Sequence, residues 1–239
     1  MNRALFASAT GMAAQQKQLD VVADNLANAD VVGFKSAQAT FAAIGANAEL
    51  GTAATGTRPI FSPGKLERSG GPFDIAIDGA GFFCVERDGE RAYTRAGAFS
   101  RARDGSLRNA EGWTLRGVAV PAGAQGITVG GNGRVTAHVD GRQRTLGRIV
   151  LAAFDAPERL RPVGSALFAA TSASGPPRVL AAGGDREPKI AFGMLEKSNV
   201  SIIESMMAIL AAQRAYEADS KGVQAADEML RIANNLHRS

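Results

Sequence analysis

Apolar residues recur every seven positions at both ends of the chain. Leu5, Met12, Leu19 and Leu26 form one row, and Ile202, Ile209, Tyr216, Val223 and Leu230 form another. A seven-residue apolar period marks helices that pack along a seam against other helices. Residues 3–28 are predicted as one helix. Ala9 and Ala23 lie beside its row, where small residues admit a close neighbour, and Gln16 is the polar exception. Asn28, Asp30 and Gly33 end it. Residues 201–236 are predicted as the second helix, opened by Ser201-Ile202-Ile203-Glu204 with the spacing of a capping box. Met206, Ala212, Ala226 and Ala233 widen its apolar stripe, and Glu217 and Lys221 offer a pair on another face. At about 1.5 Å per residue the helices span roughly 40 and 50 Å, more than a small domain covers without a partner.

Between the helices the pattern changes twice. Residues 36–72 are rich in Ala, Gly and Thr and sustain neither period, so they are expected to be an extended or loosely ordered connector. From Phe73 onward short alternating runs take over. They are punctuated by Asp88-Gly89, Asp104-Gly105, Glu111-Gly112, Asn132-Gly133 and Asp140-Gly141, dipeptides that supply the positive φ of tight hairpins. Strands are expected at 82–85, 92–94, 113–116, 126–129, 134–139 and 148–154, and a loop over 171–188. The fold class is therefore α+β: long N- and C-terminal helices packing as a coiled-coil-like pair, with a central, mainly antiparallel β domain. The expected divisions are 1–35 for the first helix, 36–72 for the connector, 73–190 for the β domain and 191–239 for the last helix.

Chemistry is sparse. Among 239 residues there is one cysteine, Cys84, inside the apolar run Phe82-Phe83-Cys84-Val85, which reads as a buried strand. A lone cysteine excludes an internal disulfide and a cysteine zinc cage. The histidines, His138 and His237, stand in no ligand or triad spacing, and no phosphate-binding loop or nucleophile elbow is present. Asp74 and Asp78 are read as strand residues facing solvent. Net charge is +4, and arginines 87, 91, 95, 101, 103, 108 and 116 are interleaved with acids. Mixed signs read as the solvated face of a sheet, and few aromatics are available for base stacking. No catalytic, cofactor or metal residue is assigned, and neither nucleic acid nor membrane insertion is expected. No stretch reaches the roughly 18 apolar residues of a membrane span. The N-terminal segment lacks the apolar core of a cleaved signal, because Gln15–Gln18 interrupt it.

Three sets of residues resemble bacterial flagellar rod and hook proteins. The first is Ala9-Thr10-Gly11-Met12, Gln15-Gln16, Leu19–Asn28 and Gly33-Phe34-Lys35. The second is Asp78–Phe83 with Tyr93–Phe99, and the third is Leu195–Val200, Gln213–Glu217, Lys221 and Asp227–Leu230. The resemblance spans nearly the whole chain, nearest to the distal-rod branch with the proximal-rod branch second. Asp24, where the family has Asn, and Asp30-Val31-Val32, where it has a Thr-containing turn, depart from the pattern. The resemblance implies a non-enzymatic, cofactor-free subunit of a helical polymer. Its helices would pack in an inner tube with the β domain outside. Its partners would be copies of itself, neighbouring rod and hook proteins, and the rings around the rod. It would be exported through the flagellar apparatus without a cleaved signal and placed in the periplasm-spanning basal body. The assembly interface is then expected on Leu5, Met12, Leu19, Leu26, Ile202, Ile209, Tyr216, Val223 and Leu230. Two rivals make different predictions. A secreted adhesin with a coiled-coil stalk would form a small closed oligomer, and a β-domain hydrolase would need a convergent polar pocket.

Overall fold

The computed structural model describes residues 3–44, 51–184 and 187–236, the side chains of residues 3–5, 230 and 233–236 excepted. Two long helices stand at the ends: α1 (Arg3–Ala27) and α2 (Ile202–Leu236). The chain divides into two compact units. One comprises Met1–Ala27, Ala37–Ile60 and Val200–Ser239; the other comprises Asn28–Ser36 and Phe61–Asn199.

In the first unit α1 packs against α2 and against an antiparallel hairpin of Ala37–Ala43 and Thr52–Pro59. Within the segment 36–72, expected as an extended or loosely ordered connector, these residues are extended but paired with each other as strands. The hairpin strands are built of Ala, Thr and Gly and face solvent over much of their length, so no apolar alternation announces them. Ladder bonds and threonines hold it instead; Thr55 donates to the Thr40 carbonyl at 3.1 Å. Asn25 ties it to α1, donating to the Ala37 carbonyl and accepting from its amide, both at 2.7 Å. At the start of α2, Ser201 Oγ accepts the Glu204 amide at 3.3 Å, the serine half of the capping box.

The second unit is an antiparallel β domain. Its centre is the strand Phe82–Arg87, paired with Glu90–Thr94, Thr114–Ala119 and Leu151–Ala153. Successive residues of a strand face opposite ways, and here both faces are covered. Phe83 and Val85 join Leu115, Leu151, Leu167 and Trp113 in one core. Phe82 and Cys84 join Tyr93, Phe154 and Phe168 in another. This two-sided burial explains the unbroken apolar run 82–85. The run expected as one strand over 148–154 is divided between Arg142–Arg148 and Leu151–Ala153. The loop 171–188 contains a short strand, Arg178–Leu180.

The expected turns are formed. Asp88 and Gly89 have φ of 52° and 84°, and Asp140 and Gly141 have 52° and 72°. Positive φ at both positions is the two-residue hairpin geometry whose twist matches the flanking strands.

Candidate assembly interface

Facing positions set the direction of the helix pair. Ser8 lies beside Gly222 and Asp219 beside Gly11, so residue numbers fall along α2 as they rise along α1 and the helices run antiparallel. On α2 the buried residues Ser205, Ala212 and Ala226 recur every seven, with Asp219 completing the row. Small side chains let the axes approach closely, and Gly11 and Gly222 do the same where a Cβ would meet Asp219 or Ser8. On α1, covered by both α2 and the hairpin, Ala14, Val21, Val22 and Asn25 are buried.

The rows expected from the sequence flank this seam. Met12, Leu19, Leu26, Ile209 and Val223 are half-buried, while Ile202 and Tyr216 are 46% and 42% exposed. Leu5 and Leu230 fall outside the described side chains. Ala9 and Ala23 are exposed, and Gln16, also exposed, donates to Asp20 along its own helix at 3.1 Å. The small-residue row on α2 was visible as Ala212 and Ala226, seven times two apart, but bulk drew attention to the Ile and Val row beside it.

A second site was not legible in the sequence. Within the β domain, segments 33–36, 62–64, 95 and 196–199 converge. Strand pairing brings them together: Met194–Glu196 runs against Leu66–Arg68, and Lys189–Phe192 against Ile75–Asp78. Glu196 is thereby held inside the domain. Its carboxylate accepts Lys35 Nζ at 2.6 Å and the Gly64 amide at 2.9 Å on one oxygen, and Arg95 at 3.2 Å on the other. Its carbonyl accepts the Gly33 amide at 2.7 Å. Two cations against one anion leave an excess positive charge, which carbonyl oxygens offset. Lys35 also donates to Ser62, and Arg95 donates to Ile77 and Gly79. Beside it Asn199 accepts the Ser36 amide at 2.7 Å and donates to Ser62 Oγ at 2.9 Å. Burial, the largest influence, pushes Lys35 below 10.5 although Glu196 opposes it, and Arg95 is lowered for the same reason.

Arg95 is buried rather than part of a solvated face of mixed charge, because Glu196 and the Ile77 and Gly79 carbonyls accept from its terminal nitrogens. Asp74 is buried rather than solvent-facing, accepting a hydrogen bond from Ser69 Oγ; Asp78 is exposed in the ladder opposite Lys189.

An open groove of about 450 Å³ on the β domain is lined by Glu86, Arg87, Asp88, Arg108, Thr114 and Arg116 among others. Its arginines are already committed. Arg116 pairs with Glu86, Arg108 with Asp104, and Arg87 donates to the Glu111 carbonyl while stacking over Trp113. His138 is exposed elsewhere on the sheet, and His237 lies outside the described residues. Among the described residues no His, Cys, Asp and Glu cluster has the geometry of a metal site, and no helix is long and apolar enough to cross a membrane.

Residues 5–35 match the flagella basal body rod protein model, 76–137 the flagellar hook protein FlgE/F/G D1 domain, and 192–236 the flagellar basal body rod FlgEFG protein C-terminal model. The flagellar basal-body rod protein FlgG of Agrobacterium fabrum is 36% identical, the match covering 97% of this chain and 98% of the relative. FlgG of Borreliella burgdorferi is 35% identical over the whole of both chains. The rod protein FlgF of Caulobacter vibrioides is 30% identical over 98% of this chain and 97% of its own. With family models on both terminal helices and on part of the β domain, and relatives at 30–36% identity over nearly its whole length, the chain belongs to the flagellar basal-body rod protein family.

Proposed function

We propose that this chain is the structural subunit of the distal segment of the flagellar rod, polymerising through its terminal helices. The observation that carries the reading is the helix pair: α1 and α2 are joined by a seam of small residues while larger apolar side chains are left at its flanks. Repeated contacts that do not close a ring build an open filament, and a filament of packed helices resists twisting, as torque transmission requires. The two FlgG relatives at 35–36% favour the distal segment. The FlgF likeness at 30% makes the proximal segment the second reading.

On this reading Leu5, Met12, Leu19, Leu26, Ile202, Ile209, Tyr216, Val223 and Leu230 meet neighbouring copies or neighbouring rod and hook proteins. The subunit works in the periplasm-spanning basal body, is exported without a cleaved signal, and has no enzymatic role. Deleting the gene in its native host separates the alternatives. Basal bodies carrying a short rod stub are expected for a distal subunit, and basal bodies without a rod for a proximal one. A full-length rod in the deletion strain would refute both.

A further inference from the structure

α2 carries an apolar ridge that its own unit leaves uncovered. Ile203, Met206, Met207 and Leu210 are 73%, 53%, 64% and 56% exposed. The spacing i, i+3, i+4, i+7 puts all four on one helix face. That face is opposite the seam: Ile203 and Met207 each stand two residues from the buried Ser205, about 200° round the helix. Contiguous apolar patches of a few hundred Å² are rare on soluble monomers and mark interaction sites.

The same unit carries a receptor of matching character. An open groove of about 370 Å³ lies between α1 and the hairpin, lined by Gly11, Ala14, Gln15, Gln18, Phe41 and Thr52. None of these residues is charged. Ala14 is buried within it, and Phe41 is 40% exposed at its rim. Uncharged walls impose no ion desolvation on an apolar visitor. The two unbranched methionines of the ridge can adapt to an irregular slot.

We propose that the Ile203–Leu210 ridge of one copy docks in the α1–hairpin groove of the next. The occupant is a second copy because one molecule cannot satisfy both halves: the ridge points away from α1, and the groove opens on α1. The contact is heterologous, and a heterologous contact that does not close propagates as a helical filament. This rests on the subunit reading above and adds a second contact beside the flanking rows, with its own donor and acceptor faces.

Cross-linking tests it. In a Cys84→Ala background, Gln18→Cys and Met207→Cys chains are made singly and co-expressed in the native host. Purified basal bodies are then treated with a short bismaleimide. A band of twice the chain mass is expected when both variants are present and at least about tenfold less with either alone. Rods that contain both chains without that band, or in which Met207→Cys links only to a different protein, overturn the proposal and leave the subunit reading intact. If either cysteine chain fails to enter rods, the charge pair decides. Met207→Glu is expected to abolish rods and Gln18→Lys to restore them, and normal assembly of Met207→Glu alone overturns the proposal. Absence of the wild-type chain from basal bodies defeats the subunit reading, and this contact with it.

Discussion

Lys35 and Glu196 are 161 residues apart in the chain, yet the ammonium meets the carboxylate at 2.6 Å with both side chains essentially sealed from solvent. Arg95 closes the group from a third segment at 3.2 Å. Desolvating three ions is costly, and the group holds because Glu196 and the surrounding carbonyls meet the Lys35 ammonium and both terminal nitrogens of Arg95, leaving only Arg95 Nε unpaired. Glu196→Gln removes the sole anion and leaves two cations buried. A loss of about 3–5 kcal/mol in the urea unfolding of the β domain is expected. A loss under about 1 kcal/mol would mean that the carbonyls alone can carry the charge.

The same burial gives the node a pH signature. Lys35 releases its proton below 10.5 in the folded protein, because burial outweighs the attraction of Glu196 and Arg95 adds repulsion. The unfolded chain keeps that proton up to the ordinary lysine value. Between the two the unfolded state binds more protons, so this group makes stability rise with pH as 10.5 is approached from below. Lys35→Met is expected to flatten that rise. Urea midpoints of both proteins on the alkaline side of neutrality provide the check, and parallel curves would contradict the assignment.

The node also shows where reading the sequence ran out. The heptads made both helices visible, and Asp88-Gly89 and Asp140-Gly141 fixed two hairpins because only a few dipeptides tolerate positive φ twice. Phe82–Val85 was legible because a strand buried on both faces needs no alternation. None of these signals reaches beyond a few residues. That Arg95 would turn inward depends on Glu196, and nothing in the local spacing of either announces the other. The hairpin at 37–59 was hidden for a different reason: its pairing rests on main-chain bonds, and its side chains are too small and too exposed to show a period. On α2 the seam is small residues, whereas hydrophobic pattern reading weights large ones.

Gly33 joins helix α1's exit turn to the node, with φ of +68° and a bond from its amide to the Glu196 carbonyl. A Cβ there would stand 2.2 Å from the Ala96 amide nitrogen, which is main chain and cannot swing aside. Gly33→Ala therefore combines left-handed strain of about 1–2 kcal/mol with a backbone clash, and a total above about 2 kcal/mol is expected. Gly141→Ala is the control: its φ is +72° but open space surrounds it, so about 1 kcal/mol is expected. Equal losses in thermal or urea unfolding would show that the clash is relieved.

Protection against hydrogen exchange should differ sharply along the monomer. Among described residues α2 buries only Ser205, Ala212 and Ala226, whereas the far shorter strand Phe82–Arg87 buries four in succession. Local opening is governed by how much burial must be undone. Peptides from α2 are expected to exchange orders of magnitude faster than those covering 82–87, and to become protected in assembled rods. Uniform protection in the monomer would argue that the helices need no neighbour.

The flanking rows give the most direct genetic prediction. Leu19 and Val223 are half-buried, so each keeps apolar surface that a neighbouring copy can cover. At roughly 25 cal/mol per Å² a single such side chain contributes on the order of 1 kcal/mol per contact. Repetition along a filament multiplies a small term, whereas a carboxylate placed there must be desolvated at every repeat. Leu19→Asp and Val223→Asp are therefore expected to leave the β domain folded and to stop rod assembly, with cells non-motile. Circular dichroism of the purified variants and electron micrographs of basal bodies read the two halves separately. Rods of normal length built from either variant would remove these positions from the interface.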